Sequence, residues 1–259
     1  MSEPALADLL AFAVQLAHEA GRLVLAHFQT GLAIEHKADA SPVTIADRAA
    51  EDLLRGRIGA RFPEDGILGE ELGESNPGAR RRWVLDPIDG TRTFVRGVPL
   101  FGVLIGVEID GRFRVGVIHI PVLGETVCGA SGLGCSWNGR TARVSAVDKL
   151  SGALVLTTDV ENIERRGRRA GWDRLRARAG LARTWGDCYG YALVATGRAE
   201  CMIDPIVARW DAAAVVPVIE EAGGIVTDLS GRPAGGEGSL IATNAVLGTE
   251  IRTLLAETP

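Results

Sequence analysis

The stretch WVLDPIDGT at 83–91 constrains this chain more than any other, because an apolar run that reads as a buried strand ends on two carboxylates three residues apart. Two carboxylates held within a few ångström repel, and the pair must take up a proton or a cation to stay buried. Pro87 fixes its own φ and removes a ladder donor, while Gly90 opens conformations closed to other residues, so the chain turns here and keeps Asp86 and Asp89 close. Layered sheets present functional groups where their strands end. A hard divalent cation is the simplest partner for this turn, and all-oxygen ligands favour Mg2+, Ca2+ or Mn2+ over zinc.

Two further acidic spots fit the same site. ILGEELGE places Glu70 and Glu71 at the end of a short apolar strand, and ARWDAAAVVPVIEEAGG places Asp211 at the start of a helix. Each alone is an ordinary surface acid or helix cap; their combination with the Asp86–Asp89 turn is what points to a site. Histidine offers no competing ligand set. His18 and His27 fall in the first helix, His36 stands alone and His119 lies within a strand, and all four read as structural. Cys128, Cys135, Cys188 and Cys201 form no C-x-x-C pair and are too few for a disulfide scaffold, so they read as buried thiols in a reducing compartment.

Periodicity gives the organisation. Residues 5–28 carry the i, i+3, i+4 recurrence of an amphipathic helix, Ser41-Pro42 breaks the chain, and 44–61 reads as a second helix with Thr44 as N-cap and Asp47 in its first turn. From Ile67 the pattern changes to short strands at 67–68, 83–85, 100–107, 113–120 and 126–127, with Asp110-Gly111 as a hairpin signal, which predicts an antiparallel meander. Beyond about residue 145 strands alternate with helices, as in an α/β fold. A basic helix is predicted over 162–179, and its arginines read as a solvated surface rather than an anion-binding face.

With 259 residues, 46% of them hydrophobic, the chain can bury a sizeable core. Lys plus Arg number 28 against 33 Asp plus Glu, a net charge of −5, so no general attraction to nucleic acid or anionic lipid is expected, and an anionic substrate would need locally arranged cations. MSEPALADLL lacks a basic region followed by an unbroken apolar run. A cytoplasmic protein with neither nucleic-acid nor membrane partner is therefore expected.

The G-E-E at 69–71, W-V-L-D-P-I-D-G-T at 83–91 and W-D-A-A-A-x-x-P-x-I-E-E-A-G-G at 210–224 resemble the paired signatures of the inositol monophosphatase family of metal-dependent phosphatases, in the family's order and spacing. The likeness runs from about Lys37 to Asp228. It implies an α/β (α+β sandwich) fold layered α-β-α-β-α, with an α+β half at 1–145 carrying most metal ligands and an α/β half at 146–259 carrying Asp211 and the substrate-selecting residues. It further implies a homodimer and two or three magnesium ions (Mg2+) per active site. Glu70, Asp86 and the Ile88 carbonyl resemble the ligands of a first metal, and Asp86, Asp89 and Asp211 those of a second. The N–H groups of Gly90 and Thr91 resemble a phosphate cradle, and Thr91 with Asp47 resembles a hydrogen-bonded pair that, with Glu70, orients the attacking water. A small phosphate monoester hydrolysed by direct attack of water is the implied substrate.

G-D-C-Y-x-Y-x-L-x-A-x-G at 186–197 is similar to the family's histidinol-phosphatase branch, which acts in histidine biosynthesis, and so is DGTRTFVRGVP. The alternatives are an inositol-1-phosphate or broad sugar-phosphate phosphatase, and a catalytically silent metal or sugar-phosphate binding module. Physically, Asp187 and Asp204 would add negative charge near the leaving group, where a primary ammonium gains a charge-assisted pair and a neutral polyol gains only hydrogen bonds. Tyr189 or Trp185 could stack on an imidazole. Two positions depart from the family pattern: Thr93 replaces the common Asn or Ser, and Asp204 the common Glu. Arg92 has two readings, a phosphate contact or a solvated side chain.

Overall fold

The computed structural model describes residues 4–31, 35–36 and 42–256, with no side-chain detail for His36 and Pro42. The predicted break at Ser41-Pro42, the start of the family likeness at Lys37 and the side chain of His36 lie outside these described residues. Helix α1 (Leu6–His27) buries Leu9, Phe12, Ala13, Leu16, Ala17, Ala20 and Val24 along one stripe. By length and composition α1 could cross a membrane, with a mean hydropathy of 1.3, but that apolar stripe is the floor of a core shared with a sheet. Strands β1 (Glu35–His36) and β2 (Pro42–Val43) form a small antiparallel ribbon before α2 (Ile45–Arg61). Thr44 caps α2 as expected: its hydroxyl accepts from the Ala46 N–H, and Asp47 accepts from the Thr44 N–H in return.

Eight strands follow: β3 (Gly66–Gly69), β4 (Gly73–Ser75), β5 (Arg81–Asp89), β6 (Gly102–Ile109), β7 (Arg112–Ile120), β8 (Glu125–Ala130), β9 (Gly134–Trp137) and β10 (Arg140–Ala142). Their spatial order is β10-β9-β8-β7-β6-β5-β3-β4. Asp110 and Gly111 both have positive φ, 52° and 76°, as the tight β6–β7 hairpin requires. The predicted antiparallel meander fails at one place. β3 pairs with β5 in parallel, Leu68 beside Val84 and Gly69 beside Leu85, because the short, exposed β4 takes the sheet edge and the chain crosses back before β5 begins. Both strands therefore end on the same side, which brings Glu70 alongside the Asp86 turn.

After the short helix α3 (Thr91–Val95), the second half builds a five-stranded sheet from β11 (Leu154–Thr157), β12 (Leu181–Arg183), β13 (Cys201–Val207), β14 (Ile225–Thr227) and β15 (Gly238–Thr243), ordered β12-β11-β13-β15-β14. Its helices are α4 (Val160–Arg165), α5 (Arg169–Arg178), α6 (Asp187–Ala195), α7 (Arg209–Glu221) and α8 (Gly248–Ala256). The single basic helix predicted over 162–179 is thus two. Gly167 at φ 66° ends α4, its N–H bonding to Glu164 and that of Arg168 to Ile163, which closes the helix C-terminus. Arg169 is exposed and paired with Glu164 and Asp173, as a solvated surface requires, whereas Arg165, 3.8 Å from Glu161, also lines a cleft described below.

Three cores stack these elements into five layers. One joins α1 and α2 to the large sheet; the next packs α6 and α7 between Leu104, Ile118 and Val127 of the large sheet and Met202, Leu240 and Ala242 of the small one; the third covers the outer face of the small sheet with α4, α5 and α8. The expected α-β-α-β-α sandwich is the observed one.

Helix α7 sits unusually close to the large sheet. A Cβ at Gly106 would fall 2.6 Å from the Ala213 Cβ, and one at Gly116 would fall 2.0 Å from the Ala214 carbonyl oxygen. Since Ala212 to Ile219 are all buried, the helix has nowhere to retreat. Gly116→Ala is expected to destabilise the fold by about 2–3 kcal/mol through overpacking, read by urea or thermal unfolding, and a loss below about 0.5 kcal/mol would contradict this contact.

Candidate active site

The acids converge through three separate pieces of local structure. Asp86 and Asp89 flank an irregularity in β5, where the pairing with β6 shifts between Asp86–Leu104 and Asp89–Gly102 around Pro87 and Ile88. Asp86 accepts the Ile88 N–H at 3.1 Å, which folds the turn back on its own carboxylate. Asp211 is the third residue of α7 and accepts the Ala208 N–H at 2.7 Å, holding its side chain over the start of the helix. Carboxylate oxygens of Asp86, Asp89 and Asp211 lie within 4.8 Å of one another. Glu70 joins them from β3: its N–H bonds to the Leu85 carbonyl at 3.2 Å, one residue before Asp86.

Burial and mutual repulsion dominate the electrostatics. Burial, then the charges of Glu70, Asp89 and Asp211, drive the Asp86 carboxyl well above its ordinary range. Burial, then Asp187 and Asp211, do the same to Asp89. Asp211 is pushed up to about 7 by burial, against the Ala208 hydrogen bond, with Glu70 and Asp204 adding to the rise. Among the described residues, the charges that act most strongly on these three groups are all carboxylates. Hard oxygen donors that crowd together, Asp86 buried and Asp89 and Asp211 half-buried, fit a divalent cation such as Mg2+, which takes carboxylates and keeps some water.

A cleft of about 670 Å³ opens over this cluster, lined by Glu70, Asp89 and Asp211 on its acidic side and by the Gly90–Thr91 turn and Arg92 beside them. Gly90 has φ 83°, and a Cβ there would meet Asp187 Oδ2 at 3.0 Å, so both backbone and space demand glycine. Its turn leads straight into α3, whose first N–H groups have no partner within the helix and face an anion favourably.

Asp187 and Asp204 line the same cleft. Asp187 opens α6 at φ 50°; its N–H bonds to Thr158 Oγ1 at 2.8 Å, and its Oδ2 accepts from Thr93 Oγ1 at 3.2 Å. Asp204 lies in β13 and accepts from the Thr158 N–H at 3.1 Å and the Tyr191 hydroxyl at 2.8 Å. Burial raises both carboxyls, Asp204 to about 6. The Cys188 N–H, next along α6, bonds to Asp89 and so ties the substrate side of the cleft to the acidic cluster.

Two expectations are corrected here. Thr91 Oγ1 donates to the Ile88 carbonyl at 3.0 Å, while both donors of Thr44 occupy Asp47 Oδ2, so Thr91 and Asp47 form no hydrogen bond with each other. The reason is local: each side chain finds a backbone partner within three residues. Tyr189 packs on the core between the sheets, with Arg198 5.9 Å from its ring centre, and Trp185 is 41% exposed; neither lines the cleft, whereas Tyr191 does. Arg92 borders the cleft, and its charge acts on Asp187.

Several residues of the site escaped the sequence reading. Glu51 is fully buried and bonds the backbone beside Glu70, and its signal was the i, i+4 spacing from Asp47 on one helix face. Tyr191 stands at the same spacing from Asp187. Thr158, and Asn162 and Arg165 of α4, line the far wall. Arg165 lies in the basic run read as a solvated surface, and nothing in the local sequence marks Thr158 or Asn162, which the packing of α4 near β13 brings there.

The sequence profile of the inositol monophosphatase family matches residues 5–258. The chain is similar to the histidinol-phosphatase of Chlorobaculum parvum, 47% identical over 92% of this chain and 93% of that one, and to the histidinol-phosphatase of Mycobacterium tuberculosis, 39% identical over 96% and 98%. Among solved structures it resembles an inositol monophosphatase from Zymomonas mobilis, with a TM-score of 0.87, 36% identity and coverage of 98% of this chain and all of that one.

The acidic cluster carries a signature in stability. Asp211 has an ordinary pKa of 3.8 and a folded one of about 7, so its contribution is fully present below the lower value and is lost as pH climbs through the upper one. In EDTA the Tm is expected to fall between about pH 4 and about pH 7, less steeply for Asp211→Asn, and saturating Mg2+ should remove most of the fall. A metal-free Tm with equal slopes in both proteins would contradict the crowding described.

Proposed function

The chain belongs to the inositol monophosphatase family and is a phosphoric monoester hydrolase, and on that premise we propose that its substrate is L-histidinol phosphate, cleaved to L-histidinol and phosphate. The observation that carries this reading is the pair of carboxylates, Asp187 and Asp204, that line the cleft apart from the Asp86, Asp89 and Asp211 triad. A neutral polyol has no use for two more negative charges, one buried and one half-buried, beside a site already crowded with them. A primary ammonium does.

In this proposal Glu70, Asp86, the Ile88 carbonyl, Asp89 and Asp211 hold two or three Mg2+ ions, which when bound supply positive charge to the ester oxygens and lower the pKa of the attacking water. Gly90 and Thr91 offer backbone N–H groups to the phosphate. Glu70 takes a proton from the attacking water, whose oxygen bonds to phosphorus as the ester P–O bond breaks, and that proton is then returned through solvent to the leaving alkoxide. Asp86 is poorly placed to act as nucleophile, since both its charge and its position are committed to the cluster, and no covalent phosphoenzyme is needed. Thr91 steadies the Ile88 carbonyl and Asp47 the entry to α2, each through the bond it makes here. Family likeness supports a homodimer, and four free, buried cysteines support a reducing, cytoplasmic setting for histidine biosynthesis.

The likeness to an inositol monophosphatase keeps one rival in view, an inositol-1-phosphate or broad sugar-phosphate phosphatase. Purified protein in Mg2+ should show a higher kcat/KM for L-histidinol phosphate than for myo-inositol 1-phosphate, and EDTA should abolish phosphate release. Preference for the inositol ester would reverse the assignment. Asp187→Asn is expected to lower kcat/KM for the amine substrate by about tenfold to a hundredfold, the worth of a charge-assisted bond of about 1.5–3 kcal/mol, and to affect the uncharged ester by less than about threefold. Equal losses on both esters would remove Asp187 from amine recognition.

A further inference from the structure

We propose that Glu51 is a positioning residue that presets Glu70 for metal binding by clamping the turn that follows it; this rests on the reading of Glu70 as a metal ligand. Glu51 is 0% exposed. Its Oε2 accepts the Glu71 N–H at 2.8 Å, and its Oε1 accepts the Leu72 N–H at 3.2 Å and Arg55 Nε at 2.7 Å. Those two backbone donors belong to the residues directly after Glu70. Arg55 reaches on to the Gly73 carbonyl, so the same ion pair ties down the far end of the turn as β4 begins.

Gly69 fits this clamp from the other side. A Cβ at that position would fall 1.9 Å from Glu51 Oε1, so the carboxylate fills the space a side chain would take. Glu70 is thus bracketed: its own N–H is bonded to β5 at Leu85, and the two N–H groups after it are bonded to α2. Neither contact involves the Glu70 carboxylate, and Glu70 lines the cleft.

The choice of residue argues for a task beyond filling space. An apolar side chain would pack against Gly69 without the desolvation cost of a buried carboxylate and its arginine. Only an acceptor with two oxygens holds two successive amides, and a charged one holds them about twice as strongly as a neutral one. Bonds to groups that lie just outside a metal's ligands fix ligand orientation, and their loss typically weakens metal affinity by about 10–100-fold.

The test uses the full chain as wild type, Glu51→Gln, Glu70→Gln and the double variant, with Mn2+ binding by calorimetry without substrate, the half-activating Mg2+ concentration, and Tm in EDTA. In Glu51→Gln, Mn2+ binding should weaken by about 10–100-fold and the half-activating Mg2+ rise in parallel, with kcat at saturating metal within about threefold of wild type. In the Glu70→Gln background the same change should add less than about twofold, because the ligand it positions is already gone. An unchanged Mn2+ affinity, whatever happens to Tm, would overturn the proposal, as would equal effects in both backgrounds. If Glu51→Gln does not fold, Glu51→Asp and Gly69→Ala, which shorten or displace the carboxylate, carry the same expectations. Full Mn2+ affinity in Glu70→Gln would instead refute Glu70 as a ligand, and the clamp would fall with it.

Discussion

Repulsion among buried carboxylates organises this molecule. Asp86, Asp89 and Asp211 are held within 4.8 Å of one another by a β5 irregularity and a helix start, and the Ala208 N–H that Asp211 accepts offsets only part of the charge they concentrate. The backbone supplies the geometry and leaves the compensation to a ligand. A site of this kind is stabilised by what it binds, so its fold and its chemistry are linked through the same oxygen atoms.

That linkage explains the arrangement of the layers. Three of the acids come from strand ends of the large sheet, but Asp211 arrives on α7, the helix sandwiched between the two sheets. Glycines at Gly106 and Gly116 let α7 lie directly on strand backbone. The parallel β3–β5 pair matters equally, since an antiparallel neighbour would have sent Glu70 to the opposite edge. Asp187 and Asp204 come from α6 and β13 on the far side of the cleft and are braced by Thr93, Thr158 and Tyr191.

Much of this was legible in the chain itself, and the exceptions have physical reasons. The Asp86–Asp89 turn, Glu70 and Asp211 were readable because acids that end apolar runs contradict burial unless something neutralises them. The α1 stripe, the Thr44 cap and the Asp110-Gly111 hairpin were readable because each depends on residues a few positions apart. The parallel pairing of β3 was not, because it is set by a crossover through exposed residues with no periodicity. The break at Gly167 was overlooked although a glycine after basic residues is a helix-ending signal in its own right. Tyr191 rather than Tyr189 reaches the cleft because α6 is buried nearly all round, so neither face of the helix is marked by polarity. The Thr91–Asp47 pair, carried over by resemblance, gave way to nearer backbone partners.

The close seating of α7 has a further consequence. A helix resting on bare strand backbone, with alanines at the contact, offers almost no volume to trade, so the lineage of such a chain can alter this helix only by changing both surfaces at once. The opposite wall is under no such restraint: α4 is a helix of six residues, and its Glu161, Asn162 and Arg165 line the opening. Selection for new esters would thus be channelled to one bank of the cleft while the hydrolytic apparatus on the other stays frozen.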